Sequence, residues 1–301
     1  MDLINQLNEN GKLMATKNKP PIVFLTDFGN TDPYTGIMKG IISRIAPQAS
    51  LIDLTNAIPP GDIQKGAMVL WQSITSFPEG SIFLCVIDPG VGSSRKGIVM
   101  QTRQYLFVGP DNGLFSFITD TQTSTWELAN PKYQNTTLSH TFHGRDLFAP
   151  AAAYLWNGVS PSDFGTPVST PVTLPRPCLQ MKACKEIKGE ILYFDHFGNA
   201  ITSIGVFEEE NVTLNFRDWL DGKQHCSILK STCKLHVRSN TKLSLASTFS
   251  DIPDEQCAMI IGSSGLIEIV ANQDSARELL GFERGEEIIL TCEPANGGNH
   301  G

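Results

Sequence analysis

The sequence predicts an α/β N-terminal domain, a mostly parallel sheet flanked by helices, followed by a smaller all-β C-terminal domain. Three observations lead there. The 301 residues exceed one ordinary domain of roughly 100–200 residues. Strand-length apolar runs alternate with helix-period segments as far as residue 156, the texture of βαβ units. Past a proline-rich break the strand signals are short and helical pattern is scarce. The expected layout is a polar leader over 1–20, the α/β domain over 21–165, a proline-rich linker over 166–186 and the β domain over 187–295.

Each element has a local reason. Residues 21–26 contain Ile-Val-Phe-Leu, a continuous apolar run suited to a strand covered on both faces. Residues 34–45 carry Ile37, Ile41, Ile42 and Ile45 at helical spacing, and Pro47 stops the helix. A short strand at 50–54 leads to a helix over 62–76, with Ile63, Ala67, Leu70 and Trp71 on one face. Residues 81–87 form a third buried strand, and 97–102 with 105–108 read as a hairpin. Helices are expected near 113–118 and 144–156. Five prolines between 161 and 177 prevent a helix or a central strand there. Strands are expected at 189–194, 212–216, 234–237, 259–261, 267–270 and 287–290.

Charge and composition exclude whole classes. Lys and Arg number 23 against 31 Asp and Glu, a formal charge of −8. No broad basic surface can be assembled, which argues against nucleic acid or an anionic membrane as partner. No apolar run reaches the roughly 18 residues of a membrane span. The N-terminal residues lack the apolar core of a secretory signal, with Met14 an alternative start. The seven cysteines are odd in number, scattered and without a C-x-x-C pair. They read as reduced thiols of a cytoplasmic protein rather than a zinc site or disulfide framework.

Ligands of open α/β sheets bind beyond the carboxyl ends of the strands. Polar clusters fall at such positions or in nearby loops: Thr26-Asp27-Phe28-Gly29 with Asp32 and Tyr34, then Asp88 to Arg95, then His143-Gly144-Arg145-Asp146. A fourth, Asp195-His196-Phe197-Gly198-Asn199, follows the first strand of the second domain. Two lookalikes are excluded. Asp27-Phe28-Gly29 spells the kinase metal-binding tripeptide, but only 26 residues precede it, too few for the upstream kinase elements. The glycines around Ser93-Ser94 lack the lysine and hydroxyl order of a phosphate loop.

Six motifs in order carry a more specific signal. They are T-D-F-G-x-x-D-x-Y at 26–34, I-D-P-G-V-G at 87–92 with Arg95, and G-P-D-N-G at 109–113. T-F-H-G-R-D at 141–146, D-H-F-G-N at 195–199 and S-S-G-L-I-E-I at 263–269 follow. In this order the chain resembles the S-adenosylmethionine (SAM) hydroxide adenosyltransferase family, the SAM hydrolases, relatives of the fluorinating and chlorinating enzymes. The resemblance implies a homotrimer with sites between neighbouring subunits. It also implies a reaction in which water or hydroxide displaces methionine from ribose C5′ of SAM, giving adenosine and L-methionine, with no cofactor and no metal. The family's Asp-Arg-His trio would fall on Asp88, Arg95 and His143. Asp27 resembles the carboxylate that takes the ribose hydroxyls, Phe197 and Asn199 the adenine-side residues. Asp195 resembles the holder of the methionine ammonium, with Ser264 near the methionine end. His140, His196 and Arg145 read as structural, Arg145 pairing with Asp146 or capping the helix.

The chemistry of these residue types agrees. A sulfonium leaves as a neutral thioether and needs no general acid, whereas water is a poor nucleophile that a carboxylate, imidazole and guanidinium can orient and activate. Which of Asp88 and His143 takes the proton stays open. The alternatives are a 5′-halogenase and a non-catalytic nucleoside- or SAM-binding module. The halogenating relatives place tyrosine where Asp88 stands and shape a halide pocket near Gly144. A carboxylate 4 Å from a halide would repel it by ~4 kcal/mol at an effective dielectric near 20, so Asp88 favours hydroxide.

Overall fold

The computed structural model describes residues 19–238 and 241–295. Most of the leader expected at 1–20 lies outside them. The chain divides into two compact units, Met1–Leu174 and Pro175–Gly301.

The first unit is built on a six-stranded mixed sheet. In chain order its elements are β1 (Ile22–Thr26), α1 (Tyr34–Ile45), β2 (Leu51–Thr55), α2 (Ile63–Ser73), β3 (Ile82–Val86), β4 (Gly97–Gln101), β5 (Leu106–Pro110), β6 (Ser124–Glu127) and α3 (Ala149–Trp156). The strand order is β2-β1-β3-β5-β4-β6. The first four strands run parallel, and β4 pairs antiparallel with both β5 and β6. The sheet is therefore mixed, parallel through β2-β1-β3-β5, with antiparallel ladders only where the hairpin read at 97–108 and the added β6 join it. Every residue of β1 and β3 is buried, as expected for strands covered on both faces. Met38 and Ile42 of α1 and Ala149, Ala152 and Ala153 of α3 share one core with Ile22, Phe24 and Leu84. Ala67 and Leu70 of α2 share another with the alternate residues Val23, Leu25 and Phe83.

At two places the structure differs from local expectation. Ile37 is exposed while Met38 is fully buried, so the inward face of α1 runs one residue later than the isoleucine spacing suggests. Residues 113–118 form turns and no helix. There the Ser116 hydroxyl donates to the Gly113 carbonyl at 2.6 Å, taking an acceptor that a helix would use.

The second unit is largely antiparallel. It contains β7 (Leu179–Lys182), β8 (Glu186–Phe194), β9 (Ala200–Thr202), β10 (Phe207–Glu210), β11 (Thr213–Arg217), β12 (His225–Leu229), β13 (Lys234–His236), β14 (Lys242–Ser244), β15 (Cys257–Ile261), β16 (Ile267–Ala271), the helix α4 (Ala276–Leu280) and β17 (Glu287–Thr291). The larger sheet runs β14-β13-β17-β8-β9-β16-β15, with β7 also on β8. A bridge from Leu245 to Met259 brings its two ends together, so the sheet nearly closes into a barrel. A three-stranded sheet, β10-β11-β12, stands beside it. β7 falls within the stretch read as linker. Its prolines stop at Pro177, and pairing with β8 supplies the order that local pattern does not reveal.

Candidate active site

In the first unit the loops after β1 and β3 and the turn before α3 converge. Asp88 ends the apolar run of β3, and Arg95 lies seven residues on, just before β4. Arg95 Nε donates to Asp88 Oδ1 at 2.8 Å, and Arg95 Nη2 donates to Asp88 Oδ2. The same Nη2 lies 2.7 Å from His143 Nδ1. Side-chain exposure is 5% for Asp88 and 10% for Arg95, so the pair is largely shielded from water. Arg95 also lies over the Phe148 ring at 5.2 Å. Its Nη1 is buried and has no hydrogen-bond partner, unlike every other such side-chain atom among the described residues. A buried unpaired donor is costly, so this nitrogen marks a position where an acceptor belongs.

The loops are seated by backbone geometry. Gly92 has φ +79°, and a Cβ there would lie 2.3 Å from the His140 carbonyl oxygen. Only glycine lets the Asp88–Arg95 loop approach the segment that carries His143. His143 opens a π-helical turn, Gly144–Phe148, that runs into α3. Such turns recur at functional sites. Asp146, buried to 1% exposure, fastens this region. It accepts a forked pair from Arg145, both at 2.7 Å, the Asn135 amide at 2.8 Å and the Ser139 N–H at 2.9 Å. Burial pushes its carboxyl up, but these donors together hold it below the ordinary value. Arg145 thus pairs with Asp146, one of the two arrangements expected for it.

Burial, and after it the Arg95 charge, hold the His143 imidazole below the ordinary histidine pKa, with Asp88 and Asp146 opposing in part. Asp27 accepts the Gly61 N–H at 2.8 Å. Burial raises its carboxyl, the Gly61 bond opposes this, and the negative charge of Asp88 adds to the rise. The structure thus brings Asp27, Asp88, Arg95 and His143 together. Phe28, Tyr34 and Phe142 form a ring cluster beside them, with centroids 5.2–6.3 Å apart.

Asp195, Phe197, Asn199 and Ser264 belong to the second unit. Asp195 Oδ1 accepts the N–H groups of Phe197 at 2.8 Å and Asn199 at 2.9 Å, and Oδ2 accepts the Asn199 amide at 2.8 Å. This is a side-chain-closed turn. Gly198 holds it at φ +85°, with Ser275 so close that a Cβ would clash. Phe197 is 74% exposed, so it is not a core residue. It lines a pocket of about 470 Å³ with Asn199, Phe249, Ala271, Gln273 and Asp274. Ser264 sits in the β15–β16 turn, whereas the register Ile269↔Ala200 puts Asn199 toward the other end of β16.

Sequence reasoning missed Phe249, Gln273 and Glu268. An exposed Phe249 and the left-handed backbone of Gln273 (φ 54°) have no local sequence signal. Glu268 lies within the quoted S-S-G-L-I-E-I motif, and its carboxyl is raised by burial and then by Asp195. A larger cavity of about 570 Å³ in the first unit, lined by Trp126, Phe115 and hydroxyls such as Thr125, contains none of the candidate residues. Among the described residues no group of three or more His, Cys, Asp or Glu is placed to hold a metal ion.

Comparison with known proteins follows the same division. Residues 22–165 match the SAM hydroxide adenosyltransferase N-terminal domain, and residues 189–289 its C-terminal domain. A protein of Thermus thermophilus named (R)-S-adenosyl-L-methionine hydrolase is 34% identical over 90% of this chain and 99% of its own. A Salinispora arenicola protein of the same name is 34% identical over 91% and 98%. A fluorinase of Actinoplanes is more distant, 23% identical over 69% of this chain and 79% of its own. The crystal structure of an uncharacterized conserved protein from Thermotoga maritima superposes with a TM-score of 0.77 at 32% identity, covering 90% of this chain and 99% of that one. With both domain models matched in order and relatives above 30% identity along nearly their whole length, the chain belongs to the SAM hydroxide adenosyltransferase family.

Proposed function

We propose that this protein hydrolyses S-adenosyl-L-methionine to adenosine and L-methionine, water or hydroxide attacking ribose C5′. The observation that carries the reading is the shielded Asp88–Arg95–His143 set with one guanidinium nitrogen left without an acceptor.

The donor arithmetic assigns roles. A guanidinium has no acceptor atom and stays protonated, so Arg95 Nη2 donates and His143 Nδ1 accepts. The neutral imidazole therefore carries its hydrogen on Nε2. In that form His143 is a donor toward the nucleophile, not its base. Asp88 retains spare acceptor capacity and takes the proton. Arg95 Nη1 and His143 Nε2 hold the oxygen as hydroxide character develops. Attack by an anion on a sulfonium neutralises charge, so exclusion of bulk water favours it, and in-line placement behind C5′ supplies much of the remaining acceleration. Asp27 takes the ribose hydroxyls. Phe197 and Phe249 offer ring faces to adenine, and Asn199 offers its amide oxygen. Asp195, with Glu268 beside it, takes the methionine ammonium, and Ser264 the methionine end.

The reading includes a homotrimer with sites between neighbouring subunits, supported by the exposed aromatic rings and by Tyr34 and Ile37, both exposed on α1. A cytoplasmic setting is supported by seven free thiols. Purified protein incubated with SAM should release adenosine and methionine in equal amounts. Failure to exceed spontaneous breakdown over a day sinks the proposal. Chloride-dependent 5′-chloro-5′-deoxyadenosine, or tight binding without turnover, replaces it with a halogenase or a binding module.

A further inference from the structure

The motif G-P-D-N-G at 109–113 has no part in the chemistry above, yet it reaches both ends of the loop that carries it. The Asn112 amide donates to the Ile87 carbonyl at 2.8 Å, one residue before Asp88. The Asp111 N–H donates to the Lys96 carbonyl at 2.8 Å, one residue after Arg95. Two adjacent residues at the end of β5 therefore grip the two stems of a single eight-residue loop, 88–95. The ion pair between the loop's first and last residues closes it from above. Within it, Ser93 N–H donates to the Gly90 carbonyl at 3.1 Å and Val91 N–H to that of Asp88 at 3.2 Å, so the loop is internally braced and follows its stems.

The grip is itself anchored. Asp111 is buried, and its Oδ1 accepts the Val172 N–H at 2.8 Å. Asn112 Oδ1 accepts the Leu114 N–H at 3.3 Å, which orients the amide so that its NH₂ faces Ile87. Asn112 offers the length and the donor needed here. An aspartate would turn an acceptor onto the Ile87 carbonyl.

We infer that Asn112, with Asp111, is the positioning element that sets the separation of Asp88 and Arg95 and so aims Arg95 at His143. The inference rests on the hydrolytic reading for its effect on rate, but not for its effect on geometry. Asn112 touches no reacting atom. It acts through the stem of the loop.

Asn112→Ala and Asn112→Asp test it, with Ser116→Ala as control. Ser116 bonds Gly113 and Leu174 in the same region without touching the 88–95 loop. Both Asn112 variants should lower kcat for adenosine release by roughly 10- to 100-fold, the effect of a displacement of about 1 Å at reacting groups. Adenosine affinity by calorimetry should stay within about twofold, because the proposed nucleoside contacts lie elsewhere. Ser116→Ala should keep kcat while sharing any loss of thermal stability. The second readout is the His143 ring titration by NMR, which needs no turnover. Moving Arg95 away should raise that titration toward the ordinary histidine value in both Asn112 variants and leave it unchanged in Ser116→Ala. If kcat and the His143 titration are both unmoved, or if kcat falls only in proportion to folded protein, Asn112 does not position the pair. If wild-type protein releases no adenosine while the titration still shifts, the hydrolytic reading fails and the positioning role stands.

Discussion

Asp88 and His143 carry distinct, measurable expectations. Asp88→Asn keeps the size of the side chain while removing the proton acceptor and one of the two acceptors for Arg95. It should abolish turnover, by about a thousandfold or more on the scale of removed catalytic groups, and leave adenosine binding near wild type by calorimetry. Parallel loss of both identifies Asp88 as a folding residue. The pH profile of kcat follows from the sign of the His143 shift. Neutral imidazole is the form that accepts from Arg95, and burial together with the Arg95 charge depresses its pKa. Activity should therefore persist below the ordinary histidine value near 6.5 and fall only as pH drops through the depressed one. His143→Asn, whose amide can both accept and donate, should retain more rate than His143→Ala and lose this acid limb. For Asp27, one carboxylate oxygen accepts the Gly61 N–H, and the proposed role is to take the ribose hydroxyls. Asp27→Asn should weaken adenosine binding by about 10- to 100-fold, the worth of charge-assisted hydrogen bonds. These side chains were legible in the sequence because each sits at a strand end or helix start that local pattern already marks. The protonation roles proposed for them were not, since they depend on which nitrogen of Arg95 faces which atom of His143.

Two elements position the site, a loop through an approach between residues distant in sequence and a turn through bonds gathered between 135 and 146. The Asp88–Arg95 loop lies against the 140s segment only because Gly92 lacks a side chain. Gly92→Ala must move that loop, and kcat should fall at least about tenfold with little change in adenosine affinity, as steady-state kinetics beside calorimetry would reveal. The π-helical turn is held by Asp146, whose loss strands the donors of Arg145, Asn135 and Ser139. Asp146→Ala should lower stability by about 2–4 kcal/mol on the cost of unsatisfied buried donors, seen as an earlier midpoint in urea. An unchanged midpoint would show that water replaces those bonds. The helix near 144–156 was readable from its apolar run. The turns at 113–118 were misread because apolar spacing there imitates a helix, while the Ser116 hydroxyl turns back onto the Gly113 carbonyl and accepts the distant Leu174 N–H, and the Asn112 amide reaches Ile87.

At the scale of the molecule, an aromatic side chain held in solvent has to be explained by what covers it. Phe197→Ser should leave the unfolding midpoint unchanged, as for exposed positions generally, yet weaken adenosine binding measurably. Sedimentation should give three times the 32.9 kDa mass of the chain. A monomer with full activity would remove the shared-site reading. Periodicity and punctuation by themselves determined the strand-helix alternation, the later run of short strands and the residue types able to activate water, because those depend on chain-local patterns of burial and charge. Only the tertiary structure decided the mixed sheet, the near-closure of the β unit and the orientation of Arg95. Each of these is set by hydrogen bonds and packing between residues distant in sequence, where strand pairing and the lack of room for a single Cβ outweigh local preference.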